Sequence, residues 1–201
     1  MQIILCDFIS LDGVVQAPGG AEEDLDGGFA HGGWSHPYFD PETIGPAISD
    51  VMARSAALLY GRRTWQTMAA AWPSRAGDPY ADSMNAIQKY VASRTLTQAD
   101  LTWENSTLLP SDDAIGAIRE LRATEGGALQ IWGSASLAAQ VIEADLVDEY
   151  VLLLEPVLLG GGKRLFPADG VSRPLELVSS TVAATGVVIC TYRRLTERSK
   201  A

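Results

Sequence analysis

Leu58-Leu59-Tyr60-Gly61-Arg62-Arg63-Thr64-Trp65 is the stretch from which the fold is read. A short apolar run stops at a glycine, and Trp65, Met68 and Trp72 then recur at near-helical spacing. The pattern predicts a buried strand that turns at once into a helix. Such a junction exposes unpaired backbone N–H groups and the positive end of the helix dipole, which together favour an anion. Two arginines and a threonine hydroxyl stand at this turn, and the planar guanidinium fork matches phosphate geometry. The plainer alternative is a solvated first turn with a core tryptophan behind it.

Working outward, the same theme returns downstream. Ala128-Leu129-Gln130-Ile131-Trp132-Gly133-Ser134 reads as a second strand–glycine–helix junction, with the helix running through Ala144 and capped by Ser134 or Ser136. Between the two, Lys89 to Leu96 reads as a strand carrying a hydroxyl and a guanidinium, Ser93 and Arg94, at its end. In an open α/β sheet, ligands bind beyond the carboxyl ends of the strands, where such junctions gather. Three candidate phosphate contacts from separate segments therefore point to one cofactor site.

Gln2 to Ile9 is nearly continuously apolar, as suits a central strand buried on both faces. Asp7 interrupts it, and a lone carboxylate there must be hydrogen-bonded, paired or turned to a cavity. Ser10-Leu11-Asp12-Gly13 reads as a turn. Residues 14–46 hold four of the ten prolines, an acidic run from Glu22 to Asp26 and both histidines. So long an irregular stretch suits a lid or binding loop. Trp34 within it either anchors the loop to the core or stacks on a flat substrate. The histidines have no partners at metal-ligand spacing, so no metal is expected.

A helix opens near Thr43 and carries Ile44, Ile48, Val51 and Met52 on one face. Residues 81–88 read as a short polar helix, 101–109 as a loosely alternating strand, and 112–125 as an amphipathic helix capped by Ser111 or Asp112. Val147 to Leu154 is a strand, followed by the glycine-rich Gly160-Gly161-Gly162. Residues 175–183 and 187–194 flank Ala184-Thr185-Gly186 as a closing antiparallel hairpin. Domain limits of 1–195 follow, with a polar tail at 196–201.

The 201 residues are 47% hydrophobic, enough for one domain with a sizeable core. The formal net charge of −10 disfavours nucleic acid and anionic lipid as partners. Any phosphate site must then be a local positive patch on an acidic body. Cys6 and Cys190 sit singly in apolar runs and read as reduced core residues of a cytoplasmic protein. No stretch reaches membrane-span length, and the apolar start has no basic region before it, so neither a membrane segment nor a signal peptide is expected.

With these residues in view, the chain resembles the dihydrofolate-reductase-like superfamily, and within it the reductase domain of the bifunctional riboflavin-biosynthesis deaminase–reductase. The likeness rests on five stretches in family order: Ser10 to Gly13, Gly61 to Trp65, Ala92 to Leu96, Ile131 to Ser134, and Pro156 to Gly162. The resemblance implies a three-layer α/β fold with a mixed, mainly parallel sheet and a C-terminal antiparallel hairpin. It implies an NADPH-dependent reductase of a small pterin or pyrimidine-type substrate. On that likeness Gly61, Arg62 and Thr64 hold the 2′-phosphate and pyrophosphate, Ser93 and Arg94 the ribose 2′-phosphate, and Gly133 with Ser134 the pyrophosphate. The nicotinamide would lie near Cys6, Asp7 and Phe8, with Asp7 and Asp12 as the nearest acids and Phe8 and Trp34 against the substrate. The chain departs from the family at two points. Ser134 stands where the reductases carry a second glycine, and the zinc-deaminase signature is absent. The other readings are a non-catalytic paralogue that binds a nucleotide, or an oligomerisation domain. The apolar last strands suggest a homodimer.

Overall fold

The computed structural model describes residues 1–195. The polar tail expected at 196–201 lies outside them. An eight-stranded sheet forms the middle layer, in the order β4-β3-β2-β5-β1-β6-β8-β7. Its strands are β1 (Ile3–Ser10), β2 (Ser55–Gly61), β3 (Gln88–Ala92), β4 (Ser106–Leu108), β5 (Ala128–Trp132), β6 (Glu149–Glu155), β7 (Leu175–Val182) and β8 (Val188–Arg194). The pairs from β4 through β6 are parallel, while β8 runs antiparallel to both β6 and β7. The fold class is the one expected: α/β, mostly parallel, closed by a hairpin.

Strand β1 shows why the sheet is sandwiched. Its side chains alternate between faces with period two. Ile3, Leu5 and Ile9 pack with helices α4 (Ala114–Ala123) and α5 (Ala135–Glu143). Ile4 and Cys6 pack with helix α1 (Ile44–Arg54). Helices α2 (Arg62–Ala71) and α3 (Pro79–Ala86) bury Trp65 and Met84 against Leu58 and Tyr60 of β2. The same alternation turns Asp7 to the face of Leu5 and Ile9, and Phe8 to the opposite one. The outer strand β7 is a sheet edge and exposes Leu177, Val178 and Val182.

Three expected elements are placed differently. The helix read at 81–88 begins at Pro79, because Asp78 caps it by accepting from Tyr80 and Ala81 N–H, and proline suits a first helical position. Helix α4 begins at Ala114, because Asp113 is its cap through Gly116 N–H rather than Ser111 or Asp112. The strand read at 101–109 shrinks to three residues. Trp103 ahead of it is a buried anchor, stacked on Tyr60 at 6.3 Å.

Beside that anchor, Lys89 is fully buried. Its ammonium donates to the carbonyls of Asn85 (2.8 Å), Ile87 (2.8 Å) and Glu104 (3.0 Å). It also lies 4.3 Å from the Trp103 ring centre. All three of its protons are used, so this ammonium pins β3 to the turn before β4. Lys89→Met would strand three buried carbonyls. It is expected to cost about 3 kcal/mol and lower the melting midpoint by roughly 6–12 °C. Thermal melting followed by circular dichroism checks this, and an unchanged midpoint would refute it.

Candidate functional site

The carboxyl ends of β3, β2, β5 and β1 open into one cleft of about 810 Å³. Eight of the residues singled out in the sequence line it: Asp7, Gly61, Arg62, Thr64, Ser93, Arg94, Gly133 and Ser134. The two strand–glycine–helix junctions are therefore one site. They are tied by a single hydroxyl. Ser134 Oγ accepts from Gly61 N–H at 2.7 Å and donates to Thr64 Oγ1 at 2.7 Å. Ser134 adopts a left-handed backbone (φ 62°) and does not cap α5 by side chain, contrary to the capping expected. A Cβ on Gly61 would lie 2.9 Å from Ser134 Oγ, so only glycine admits this approach.

Neither α2 nor α5 has a side-chain cap, and the first turns of both line the cleft. Their free N–H groups and dipole ends favour a negative group there. The two arginines at the α2 junction divide. Arg63 donates to Asp24 at 2.8 Å and is also bridged to Asp26. Among the described residues, Arg62 has no hydrogen bond or salt bridge, and the same holds for Arg94. Ser93 Oγ accepts from Thr95 and Leu96 N–H at 3.1 and 3.0 Å, which orders the loop that presents Arg94. The donor set is two unpaired guanidiniums and two uncapped helix starts, which fits a molecule with several phosphates.

At the β1 end lies Asp7, 2% exposed, with Oδ2 lacking any partner. Burial, reinforced by Glu23, holds its carboxyl well above the usual carboxylate range. The structure does not bring Asp12, Phe8 or Trp34 into the cleft lining. Asp12 accepts from Ser10 Oγ and from Leu159 and Gly160 N–H, which pulls its carboxyl down to about 2. It is a clasp between the turn after β1 and the glycine-rich loop. Phe8 faces the other side of the sheet, edge-on to Trp132. Trp34 is buried and donates from Nε1 to Gln16 O at 2.7 Å, so of its two readings the structure shows the loop anchor.

Part of the stretch 14–46 lines the cleft, namely Val15 to Pro18 with Glu23, Asp24 and Asp26, and several contacts of the stretch escape sequence reading. Gln16 is buried and donates from Nε2 to Asp24 O and Asp26 O, both at 3.0 Å, while Oε1 accepts from Lys163 N–H at 2.9 Å. Lys163 Nζ binds Asp24 at 2.5 Å and Asp26 at 2.9 Å. Glu155, fully buried at the end of β6, accepts from Ser35 Oγ at 2.6 Å. The sequence carries only an acidic run and a lysine after three glycines as signals, with nothing to pair them. The glycines are explained at Gly162, whose φ is 115° and whose Cβ would meet Phe29 and Val14 at 2.8 Å.

The family profile described as the RibD C-terminal domain matches residues 2–189. The chain belongs to the RibD C-terminal domain family. The chain is also similar to individual proteins. The uncharacterized protein YyaP of Bacillus subtilis (strain 168) is 27% identical over 196 residues, covering 95% of this chain and 94% of that one. A candidate riboflavin biosynthesis protein from Shewanella sp. PV-4 superposes with a TM-score of 0.73 at 26% identity, covering 98% and 100%. A pyrimidine reductase-like protein from Corynebacterium diphtheriae gives 0.62 at 13%, covering 98% and 92%. Dihydrofolate reductase from Enterococcus faecalis, complexed with NADP(H) and RAB-propyl, gives 0.59 at 17%, covering 97% of each chain. The last two share the fold.

Burial lifts the Glu155 carboxyl from 4.5 to about 7. Between those values the folded chain holds a proton that the unfolded chain has released, so stability falls as pH rises through that window. The decline from this group is roughly 3 kcal/mol. Glu155→Gln is expected to flatten it, as measured by denaturant unfolding at pH 4.5, 6 and 8. An equal pH slope in variant and parent would rule this assignment out.

Proposed function

We propose that this chain is an NADPH-dependent reductase of a small heteroaromatic substrate of pterin or pyrimidine type. The observation that carries the reading is the meeting of unpaired arginines and uncapped helix starts at one end of a cleft, with a buried, unpartnered carboxyl at the other. NADPH, when bound, supplies the hydride. Arg94, on the loop ordered by Ser93, would hold the 2′-phosphate, with Arg62 beside it. The N-terminal turns of α2 and α5, locked together by Ser134, would hold the pyrophosphate. An unpaired guanidinium gains most from the extra phosphate, so the arginines favour NADPH over NADH.

The chain's own chemistry lies at Asp7. A substrate C=N bond that gains a hydride at carbon must gain a proton at nitrogen. Burial favours the protonated form of Asp7, and one of its oxygens has no partner among the described residues, so it could donate a proton or bond an amino edge of the ring. Asp12 stays ionised and clasps two loops; the proton role falls to Asp7 alone. Val15 to Pro18, with Glu23, Asp24 and Asp26, form the wall that the loop at residues 14–46 gives to the cleft. A homodimer through the exposed side chains of β7 fits the same reading.

A thermal-shift comparison tests it, since preferential binding to the folded chain raises its melting midpoint. NADPH is expected to stabilise the chain more than NADH. Arg94→Ala is expected to weaken NADPH by about 10- to 100-fold while leaving NADH unchanged, as suits one charge-assisted hydrogen bond. Equal shifts for both cofactors, or none, would refute the reading. In NADPH oxidation with a dihydropterin, Asp7→Asn is expected to lose most of kcat, and a full rate would reject Asp7 as the acid.

A further inference from the structure

The cleft is electrically polarised along its length. Strands β3 and β1 sit three places apart in the sheet, roughly 14 Å at ordinary strand spacing. Four cations line it: Arg62, Arg63, Arg94 and Lys163. Arg94 follows β3 and Arg62 follows β2, and neither has a partner among the described residues. Toward β1 the arrangement reverses. Arg63, reaching across from the first turn of α2, and Lys163 are shared between the carboxylates of Asp24 and Asp26, two positive charges against two negative. Isolated surface ion pairs are worth little. This cluster is held from behind, because buried Gln16 grips the backbone of Asp24, Asp26 and Lys163 together.

What remains unpaired at this end is acidic. Asp7 Oδ2 is buried and without a partner. Glu23 also lines the cleft, fixed by Gly19 N–H donating to Oε2 at 2.7 Å. Among the described residues, a phosphate dianion entering here would find Arg63 and Lys163 already paired. It would have to displace a carboxylate from Arg63 or Lys163, leaving two like charges side by side. A ring edge bearing amino or ring N–H donors meets the opposite situation, with carboxyl oxygens waiting for them.

We infer that the substrate end of this cleft rejects phosphate and takes an uncharged or cationic nitrogen heterocycle, because Asp24 and Asp26 already occupy its two cations while Asp7 and Glu23 face the space. This rests on the proposed function in placing the cofactor at the arginine end. It goes beyond that reading by excluding phosphorylated pyrimidines from the substrates.

The test is calorimetric titration of ribose 5-phosphate into protein saturated with NADP⁺. The parent chain is expected to show no binding at millimolar concentration. Asp24→Asn/Asp26→Asn, which frees both cations, is expected to bind at least about tenfold more tightly, the effect of one new charge-assisted hydrogen bond to the phosphate. Should the double variant not fold, Asp26→Asn alone leaves Asp24 in place and is expected to bind more tightly in the same direction. Parent binding as tight as the variant's would overturn the inference, and so would affinity no higher than the parent's in both folded variants. If NADP⁺ itself does not bind, the proposed function falls instead. Titrating Arg62→Ala/Arg94→Ala without NADP⁺ then reads the substrate end alone, with the same expectations.

Discussion

A single serine hydroxyl joins the two strand–glycine–helix junctions. Ser134 Oγ bonds Gly61 N–H and Thr64 Oγ1, so the junction after β5 and the junction after β2 cannot move independently. The contact requires three local conditions at once. Gly61 must lack a Cβ, Ser134 must take a left-handed backbone, and both strands must end at the same height. Parallel pairing of β2 with β5 supplies the last. The result is two helix starts presented to one space with their N–H groups uncapped. A capped helix would have satisfied those donors internally and left nothing for a ligand.

A second constraint is the treatment of charge on an acidic chain. With a net charge of −10, long-range attraction cannot gather phosphate, so the patch must be made by local pairing choices. Successive helical residues point about 100° apart, so Arg62 and Arg63 serve different partners. Arg63 turns to the acidic loop and is neutralised there. Arg62 stays free for the cleft. The same acidic run that makes the chain repel anions thus consumes the cations that would otherwise attract them at the β1 end.

Much of the architecture is legible in the sequence because its signals are local. The apolar run of β1, the two strand–glycine–helix junctions, the Ser93-Arg94 ending and the C-terminal hairpin each announce themselves within ten residues. Eight of the site residues lie together for the same reason: strand ends in a parallel sheet gather without further information. What the sequence hides is contact between distant segments. Asp12 reads as an acid near the first strand, and nothing nearby shows that Leu159 and Gly160 N–H will claim it. Phe8 lies close to the cleft along β1 but on the opposite face, because nearness along a strand says nothing of side until its period of two is applied. Glu155, Gln16 and Lys163 are invisible because each takes its meaning from a partner over a hundred residues away or from a loop without periodicity.

The two ends of the cleft are built from different materials, and that has a consequence for specificity. The arginine end is made of strand ends and helix starts, whose geometry the sheet dictates. A change there disturbs the fold, as the close approach at Gly61 shows. The acidic end is made of residues 15–26 and the segment around Lys163, joined by the side chain of Gln16. Exchange of Asp24 or Asp26 alters its charge without touching a strand. Loops on a rigid scaffold are where recognition is free to vary. On the proposed function, a reductase-like chain could keep its cofactor requirement while changing which ring it admits, and Asp24 and Asp26 are where such a change would cost the fold least.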